Sequence, residues 1–379
     1  MTKKSSTPAI RFKGFTDTWE QRKLGDVVQI TMGQSPDGST YSDEPSDYIL
    51  VQGNADLQNG WVCPRIWTTQ ITKKADAGDL IMSVRAPAGA MGKTAYNTVI
   101  GRGVAAIKGN EFVYQLLVKM DMGGFWKTLS CGSTFESLNS DNIKNAEVKV
   151  PTTAEQVQIG DFFRHLDNLI TLHQRKYDKL TNVKKSMLEK MFPKNGSNVP
   201  EIRFKGFTEA WEQRKAKEIC SIGTGKSNTQ DQVDDGKYPF YIRSDVPVRS
   251  NKYLYDCEAV ITIGDGNIGK VFHYVNGKFD LHQRCYKMTD FKDIWGKYFF
   301  YYFSTKFYDR AMKMTAKATV DSVRLEMISE MDIKKPPQIS EQKQIAEFFA
   351  NLDNLITLHQ RELEKLKNLK KACLEKMFV

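Results

Sequence analysis

The sequence contains no hydrophobic run long enough to cross a membrane. Its densest apolar run, Tyr298–Phe303, is far shorter than the roughly 20 residues that a membrane-spanning helix needs. The first residues, Met1–Phe15, carry lysines with no apolar run after them, so a secretory signal is not expected. The six cysteines form no C-x-x-C pair. Reduced thiols in a cytoplasmic protein are therefore predicted. The cysteines are Cys63, Cys131, Cys220, Cys257, Cys285 and Cys373.

The motifs of known catalytic sites are also missing. We find no nucleophile elbow, no Ser/His/Asp signature, no paired carboxylates in a motif context, no Asn-Pro-Pro-aromatic methyltransferase motif and no acidic nuclease pattern. Gly264–Gly269 matches G-x-G-x-x-G, but the residues after it predict a strand and a turn, whereas a dinucleotide site needs a helix there. Gly223–Ser227 resembles a P-loop, but Cys220 stands where the first glycine is required. The sequence therefore favours binding over catalysis, with no catalytic residue and no bound cofactor.

A metal site is not expected either. Cys257, His273, His282 and Cys285 follow no spacing that is typical of zinc ligands, so ordinary buried or hydrogen-bonded roles are predicted for them.

What the sequence has in excess is positive charge. Its net charge is +10, and its hydrophobic and aromatic contents of 40% and 11% are sufficient for folded cores. Charge of this sign favours a polyanionic partner, usually nucleic acid, although a merely basic protein is about as consistent with charge alone.

Two segments of the chain recur later in the sequence with few changes. Ile10–Lys23 returns as Ile202–Lys215, and Glu155–Phe192 returns as Glu341–Phe378 with 26 identical residues in 38. The stretches between these repeats barely resemble each other. A period this long does not suit a solenoid and predicts two domains related by a pseudo-two-fold axis. One scaffold would then present two different recognition surfaces.

The two variable stretches, residues 24–150 and 216–335, predict mixed α/β domains. Buried strands are expected at Asp79–Val84 and Ala259–Gly264, and helices around Phe112–Met120 and Trp295–Tyr308. The overall class predicted is α+β, with two α/β recognition domains joined by two long helices in an antiparallel coiled coil. The predicted domains are residues 1–150, a first helix at 151–195, a second domain at 196–335 and a second helix at 336–379.

Each copy of the 38-residue repeat predicts one long helix with a coiled-coil seam. It contains no proline, and Thr152 with Glu155 fits a capping box in the first copy. Apolar residues recur in heptad register, interrupted in both copies by one histidine (His173, His359) and one lysine (Lys184, Lys370). Such a helix would be about 57 Å long. The residues predicted to pair the helices or bind a partner are Phe163, Leu166, Ile170, Leu180, Phe349, Leu352, Ile356 and Leu366.

Extra apolar residues flank this seam at Phe162, Leu169 and Leu172. The apolar stripe is wider than one partner helix needs, so a second surface is expected to pack there. Because repeat, insert and helix follow one another twice, the end of the second helix should lie beside the start of the first repeat.

Basic and amide side chains in the inserts are the candidates for reading DNA. Arginine pairs with guanine, asparagine or glutamine pairs with adenine, and lysine mostly holds phosphate. Each residue alone is about twice as consistent with a solvated surface charge. The predicted DNA-binding residues are Gln34, Ser35, Gln52, Asn54, Arg85, Lys93 and Arg102 in the first insert, and Lys226, Ser227, Arg243, Ser244, Arg249, Lys270 and Arg284 in the second.

The order of these pieces resembles the specificity subunit of a type I restriction-modification system. The resemblance is carried by the W-E-Q-R-K segments Trp19–Lys23 and Trp211–Lys215 and by a proline followed by E-Q-x-x-I, F and L-D-x-L-I. It covers nearly the whole chain, and the duplication makes it strong. The residues of the second pattern are Pro151, Glu155, Gln156, Ile159, Phe163, Leu166, Asp167 and Ile170, and again Pro337, Glu341, Gln342, Ile345, Phe349, Leu352, Asp353 and Ile356.

The resemblance implies two target-recognition domains, each reading one half of a split, asymmetric site in double-stranded DNA. It implies helices that space these domains and dock two methyltransferase subunits. S-adenosylmethionine and ATP would belong to the partner subunits, with restriction subunits joining the assembly. Two other readings stay open: a methyltransferase or nuclease with unfamiliar motifs, and a non-catalytic scaffold or regulator.

Overall fold

The computed structural model describes residues 7–130, 137–194, 196–315 and 322–379 of the chain. Cys131 lies outside these residues, whereas the other five cysteines are free thiols. No helix within the described ranges is long and apolar enough to cross a membrane.

The chain forms two compact units, and each unit contains the first part of one long helix and the last part of the other. Unit 1 consists of residues 1–175 and 360–379, and unit 2 of residues 176–359. The boundaries therefore fall inside the two long helices. The two halves of each helix pack into different units.

Unit 1 contains three sheets and the beginning of a long helix. Its strands pair in the orders β1-β13, β2-β12-β9-β10-β6-β5 and β3-β7-β4-β11-β8. The strands are β1 (Glu20–Lys23), β2 (Gln29–Met32), β3 (Tyr41–Ser42), β4 (Tyr48–Val51), β5 (Leu57–Gln58), β6 (Trp61–Val62), β7 (Trp67–Thr68), β8 (Lys74–Ala75), β9 (Leu80–Ser83), β10 (Met91–Lys93), β11 (Thr98–Ile100), β12 (Val104–Lys108) and β13 (Glu147–Val150). The helices are α1 (Leu24–Val27), α2 (Glu111–Met122), α3 (Phe125–Leu129), α4 (Ser140–Lys144) and α5 (Thr153–Lys190), of which α5 continues into unit 2.

Unit 2 repeats this plan with fewer strands. Its sheets have the orders β14-β21 and β15-β20-β18-β19-β16-β17. The strands are β14 (Glu212–Lys215), β15 (Ser221–Thr224), β16 (Tyr238–Tyr241), β17 (Val248–Ser250), β18 (Tyr255–Ile263), β19 (Phe272–Leu281), β20 (Cys285–Thr289) and β21 (Asp332–Lys335). The helices are α6 (Ala216–Ile219), α7 (Gly296–Thr315), α8 (Leu325–Ser329) and α9 (Ile339–Met377), and α9 ends in unit 1.

The predicted insert elements are confirmed. Helices α2 and α7 lie where they were expected, β9 covers Leu80–Ser83 of the first predicted run, and β18 covers the second run up to Ile263. Strand β19, not a helix, follows Gly264–Gly269, so the glycine motif lies in a hairpin connection. This arrangement is unlike a dinucleotide site.

Each unit is closed by the last residues of a long helix, as the order of the repeats predicted. In unit 1, Phe378 packs against Trp19, Phe112 and Phe163, with ring centroids 6.1, 5.2 and 5.7 Å away. In unit 2 the equivalent Phe192 packs against Trp211, Tyr298, Tyr302 and Phe349. A backbone hydrogen bond completes each closure, from the N–H of Ile10 to Lys376 and from the N–H of Ile202 to Lys190. Trp19 and Phe378 thus belong to one core although they are far apart in sequence.

The repeated Glu-Gln pair at the start of each long helix ties three elements together. Glu155 is buried and accepts two hydrogen bonds from Arg11, at 2.7 and 2.8 Å. Gln156 donates to the carbonyl of Pro151 and accepts from Asn110, the N-cap of α2. The Glu155 carboxylate thus binds an arginine that lies at the start of the first repeat.

The second copy makes the same arginine–glutamate contact and similar glutamine contacts. Glu341 accepts two hydrogen bonds from Arg203, at 2.6 and 2.8 Å. Gln342 donates to Pro336 and accepts from the backbone N–H of Trp295, just before α7. These contacts explain why Ile10–Lys23 and the long helix are duplicated together: each arginine needs its own glutamate.

The two long helices pair in an antiparallel coiled coil, seen inside each unit. In unit 1 the first half of α5 shares a core with the last part of α9, through Phe163, Leu166 and Leu374. In unit 2 the last part of α5 shares a core with the first half of α9, through Met191, Phe349 and Leu352. Leu366 packs against the first core and Leu180 against the second.

The lysines that interrupt the heptads have a defined role. Lys370 forms an ion pair with Asp167 at 2.7 Å, and Lys184 forms the equivalent pair with Asp353 at 2.5 Å. Each pair joins one long helix to the other, and each aspartate comes from the L-D-x-L-I segment. Charges of opposite sign on facing helices help to fix the register of a coiled coil.

Candidate nucleic-acid interface

Four loops meet at one place in unit 1, and we call this arrangement the loop cradle of unit 1 (residues 33–35, 51–54, 84–85 and 101–103). The backbone N–H of Gly33 bonds to Val104, and that of Gly101 bonds to Val51. The N–H groups of Gln34 and Val84 bond to Ile100 and Gly103. Backbone hydrogen bonds therefore join loops that are far apart in the chain.

Unit 2 contains the same cradle at residues 225–227, 241–244, 264–265 and 282–284. The N–H of Gly225 bonds to Cys285, and that of His282 bonds to Tyr241. The N–H groups of Lys226 and Gly264 bond to Leu281 and Arg284. These four bonds are equivalent to the four bonds in the cradle of unit 1, but other residues form them. The inserts therefore share a backbone frame and differ in the side chains on it.

Glycine makes the close approach of the loops possible. A Cβ atom on Gly33 would lie 2.1 Å from the carbonyl oxygen of Gly101, and one on Gly225 would lie 2.2 Å from that of Leu281. Any larger residue would push the first loop away from the turn that it contacts.

A fifth chain segment reaches each cradle beside Arg85 or Asp265. Arg85 forms a β-bridge with Ser137, and Asp265 forms one with Ser322. Arg85 and Asp265 therefore occupy equivalent positions in frames of the same design.

Most of the predicted DNA-binding residues of the first insert lie in the cradle of unit 1. Gln34, Arg85 and Arg102 are exposed there, and Gln52 and Asn54 are half-buried. The hydroxyl of Ser35 accepts a hydrogen bond from the N–H of Arg102 at 3.2 Å. The cradle thus brings arginines and amides to one edge of the unit, which are the side chains that pair with base edges.

In unit 2, two of the predicted DNA-binding arginines donate hydrogen bonds to the same carboxylate. The sequence does not single out this carboxylate. Arg243 and Arg284 donate to opposite oxygens of Asp265, at 3.1 and 2.7 Å. Burial alone would raise the pKa of Asp265, but the hydrogen bonds from Arg284 and Arg243 outweigh it and lower the pKa below its ordinary value. Asp265 is therefore charged at neutral pH, and the cluster of three residues has a net charge of about +1.

His282 lines the same open pocket as Arg243, Asp265 and Asn267. Burial, and then the charge of Arg243, lower the pKa of His282 from its ordinary value of 6.5, so the ring is neutral at pH 7. Its Nδ1 accepts from the backbone N–H of Arg284 at 3.1 Å. This bond leaves the proton on Nε2, which makes the ring a hydrogen-bond donor.

Two predicted residues of the second insert have structural partners. Ser227 is buried, and its hydroxyl donates to the buried Asp280 at 2.6 Å. Arg249 donates to the carbonyls of Gly236 and Lys237, which holds a turn between strands. The Ser227 hydroxyl and the Nε and Nη2 atoms of Arg249 therefore have partners within unit 2.

The two predicted lysines after the glycine-rich loops lie outside the cradles. Lys93 forms an ion pair with Glu111 at 3.0 Å and lies over the rings of Tyr114 and Trp61. Lys270 is exposed and lies over the ring of Tyr308. Lys226 is exposed within its cradle, while Ser244 is half-buried and donates to Val246.

The sequence does not single out Asp265 and Asn267, and it predicts only an ordinary buried or hydrogen-bonded role for His282. Asp265 and Asn267 lie in the glycine motif Gly264–Gly269, which connects β18 to β19. The sequence does contain a signal for them, because the loops Gly78–Lys93 and Glu258–Lys270 resemble each other and Arg85 in the first loop is a predicted DNA-binding residue.

A second surface lies on the long helices, where a pair of leucines stays exposed in both copies. Leu169 and Leu172 are 44% and 46% exposed in unit 1, and their equivalents Leu355 and Leu358 are 44% and 53% exposed in unit 2. Leucines three residues apart share one face of a helix. Each unit therefore carries the same uncovered apolar pair beside its coiled-coil seam.

Comparisons with known proteins agree with this duplicated plan. The family model described as "Type I restriction modification DNA specificity domain" matches residues 16–182 and again residues 208–368. The putative type I restriction enzyme MjaX specificity subunit of Methanocaldococcus jannaschii is 28% identical over 182 residues, which are 45% of this chain and 42% of that protein. The MjaVIII specificity subunit of the same organism is 26% identical over 284 residues, which are 65% of this chain and 64% of that protein.

The chain thus aligns with less than two thirds of the length of each of these relatives. The crystal structure of the type I restriction-modification system S subunit from M. genitalium matches 98% of this chain and 99% of its own chain, with a TM-score of 0.71 and 14% sequence identity. That likeness shows the same fold over nearly the whole length. With two matches of the family model that together span most of its residues, the chain belongs to the type I restriction modification DNA specificity family.

Proposed function

We propose that this chain is the DNA-recognition subunit of a type I restriction-modification complex and that each loop cradle reads one half of a bipartite target. The observation that carries the proposal is the frame common to both cradles, which presents different side chains in each unit. A common frame gives both units the same way of approaching DNA. Different side chains give them different base preferences, so the target should be asymmetric.

We further propose that the chain recognises DNA without transforming it. The groups gathered in the cradles are arginines, amides, a neutral histidine and one carboxylate engaged by two arginines. Such groups pair with base edges and phosphates. S-adenosylmethionine would be held by two partner methyltransferase subunits and ATP by restriction subunits, and the complex would act in the cytoplasm.

Exchanging residues 24–150 for the first insert of a relative tests the proposal. We expect one half of the methylated sequence to change completely and the other half to stay fixed, because the two cradles belong to separate units. The measurement is a map of methylated adenines in DNA from cells that contain the methyltransferase partner with the original or the exchanged chain.

Two control samples complete this experiment. The methyltransferase without this chain should leave the target unmethylated, and the purified chain alone should methylate and cleave nothing. Turnover by the pure chain would instead favour an enzyme with unfamiliar motifs. A change in both halves after the single exchange would contradict independent reading by the two units.

We also propose that the exposed leucine pairs dock the methyltransferase subunits, one on each unit. The exposed pair recurs in both copies of the helix. Two equivalent apolar surfaces are what two identical partner subunits would need. The buried core of an interface is more apolar than its rim, because removing apolar surface from water favours association.

Replacing Leu169 and Leu172 with serine is expected to remove one of the two bound methyltransferase subunits. The same change at Leu355 and Leu358 should remove the other, and all four changes should remove both. Native mass spectrometry of the purified complex measures the stoichiometry. Leu325→Ser, which changes a leucine that is 50% exposed on α8, should leave two subunits bound. Full assembly of the fourfold variant would place the docking surface elsewhere.

A further inference from the structure

We propose that Arg243 and Arg284, oriented by Asp265, read guanine in the half-site that unit 2 contacts. This inference rests on the proposed function and adds to it the residues that determine specificity and the base that they recognise. Asp265 acts as a positioning residue, and the two arginines make the base contacts.

The geometry of the cluster supports this assignment. Each arginine uses its Nη1 atom on Asp265. No other protein acceptor contacts either guanidinium in the part of the chain that the structure describes. The edge formed by Nε and Nη2 is therefore left for a ligand on both arginines. That edge carries two parallel N–H donors, which match the O6 and N7 acceptors of guanine in the major groove.

The exposure of the three side chains fits the same roles. Arg243 and Arg284 are 46% and 62% exposed, whereas Asp265 is 19% exposed and lies behind them. A carboxylate in this position limits the rotation of two long side chains before DNA arrives. Side chains held in one geometry lose less conformational entropy on binding and tolerate fewer alternative bases.

Unit 1 offers a contrast on the same backbone frame. Arg85 occupies the position of Asp265, and a glycine, Gly103, occupies the position of Arg284. The first cradle therefore lacks the carboxylate with two arginines. A guanine preference that depends on this cluster should appear in one half-site only.

The test compares arginine-to-lysine variants, which keep the charge and lose the paired donors. We expect Arg243→Lys and Arg284→Lys each to relax one G·C position of the unit 2 half-site, with the preference over A·T falling roughly 5- to 150-fold. Asp265→Asn should relax both positions. The half-site of unit 1 should not change. Adenine-methylation maps with the partner methyltransferase identify the positions, and fluorescence anisotropy with duplexes changed at each base pair measures the preferences.

The salt dependence of binding separates base reading from phosphate binding. Both lysine variants should keep the salt slope of the original protein, because their charge is unchanged. Glu330→Gln breaks an exposed ion pair with Lys217 in the same unit, away from the cradle, and should alter no base preference. If both lysine variants retain the original G·C preferences, or if the unit 2 half-site contains no G·C pair, the inference is wrong.

Failure of the broader proposal would look different. In that case the original complex would methylate no bipartite site at all, and no G·C preference could be compared between the original protein and the variants. If Asp265→Asn does not fold, as judged by circular dichroism, the two lysine variants still decide the role of the arginines.

Discussion

Replacing Phe378 with alanine is expected to lower the free energy of unfolding of unit 1 by about 3–5 kcal/mol. Positions so close to the end of a sequence usually tolerate substitution. Phe378, however, is 3% exposed and packs against Trp19, Phe112 and Phe163. Its removal would leave a cavity at the point where the last helix closes the first repeat. Chemical denaturation measures the loss, and hydrogen exchange by mass spectrometry shows which unit opens.

The repeat supplies a matched control for this substitution. Phe192→Ala removes the equivalent ring and should open unit 2 rather than unit 1, since Phe192 packs within the core of unit 2. Tyr308→Ala, at a ring that is 38% exposed, should cost much less in either unit. If Phe378→Ala costs no more than Tyr308→Ala, the closure of unit 1 by α9 does not stabilise it.

Replacing Arg11 with alanine should destabilise unit 1 by about 3–5 kcal/mol, because the carboxyl group of Glu155 would stay buried without its partner. The side chain of Glu155 is fully buried and that of Arg11 is 14% exposed, so water cannot readily replace the guanidinium. Thermal unfolding with hydrogen exchange at the start of α5 provides the measurement. Arg203→Ala should act in the same way in unit 2, where Glu341 is 1% exposed.

The double variant Arg11→Met with Glu155→Met distinguishes an unpaired charge from lost packing. Two apolar side chains of similar length remove the buried charge together with its partner, so most of the stability should return. A double variant that is as unstable as Arg11→Ala would show that the ion pair itself, and not the isolated carboxylate, determines the stability of this joint.

The sequence alone was sufficient for the large features of this protein. Duplication of Ile10–Lys23 and of Glu155–Phe192 predicted two units of one plan, and the unbroken heptads predicted α5 and α9. Both are local or repeated patterns, which a single chain displays directly. The order of repeat, insert and helix also predicted that the last helix returns to the first repeat, which the packing of Phe378 on Trp19 confirms.

Only the tertiary structure decided which side chains act together. Nothing local in the sequence pairs Arg11 with Glu155, or Lys370 with Asp167, because each contact joins residues more than a hundred positions apart. Asp265 is also joined to its partners only by the fold, because Arg243 and Arg284 lie 22 and 19 positions away from it in two other loops. Side chains that come together from separate loops leave no periodic pattern in the sequence, and so the role of Asp265 depends on the tertiary structure.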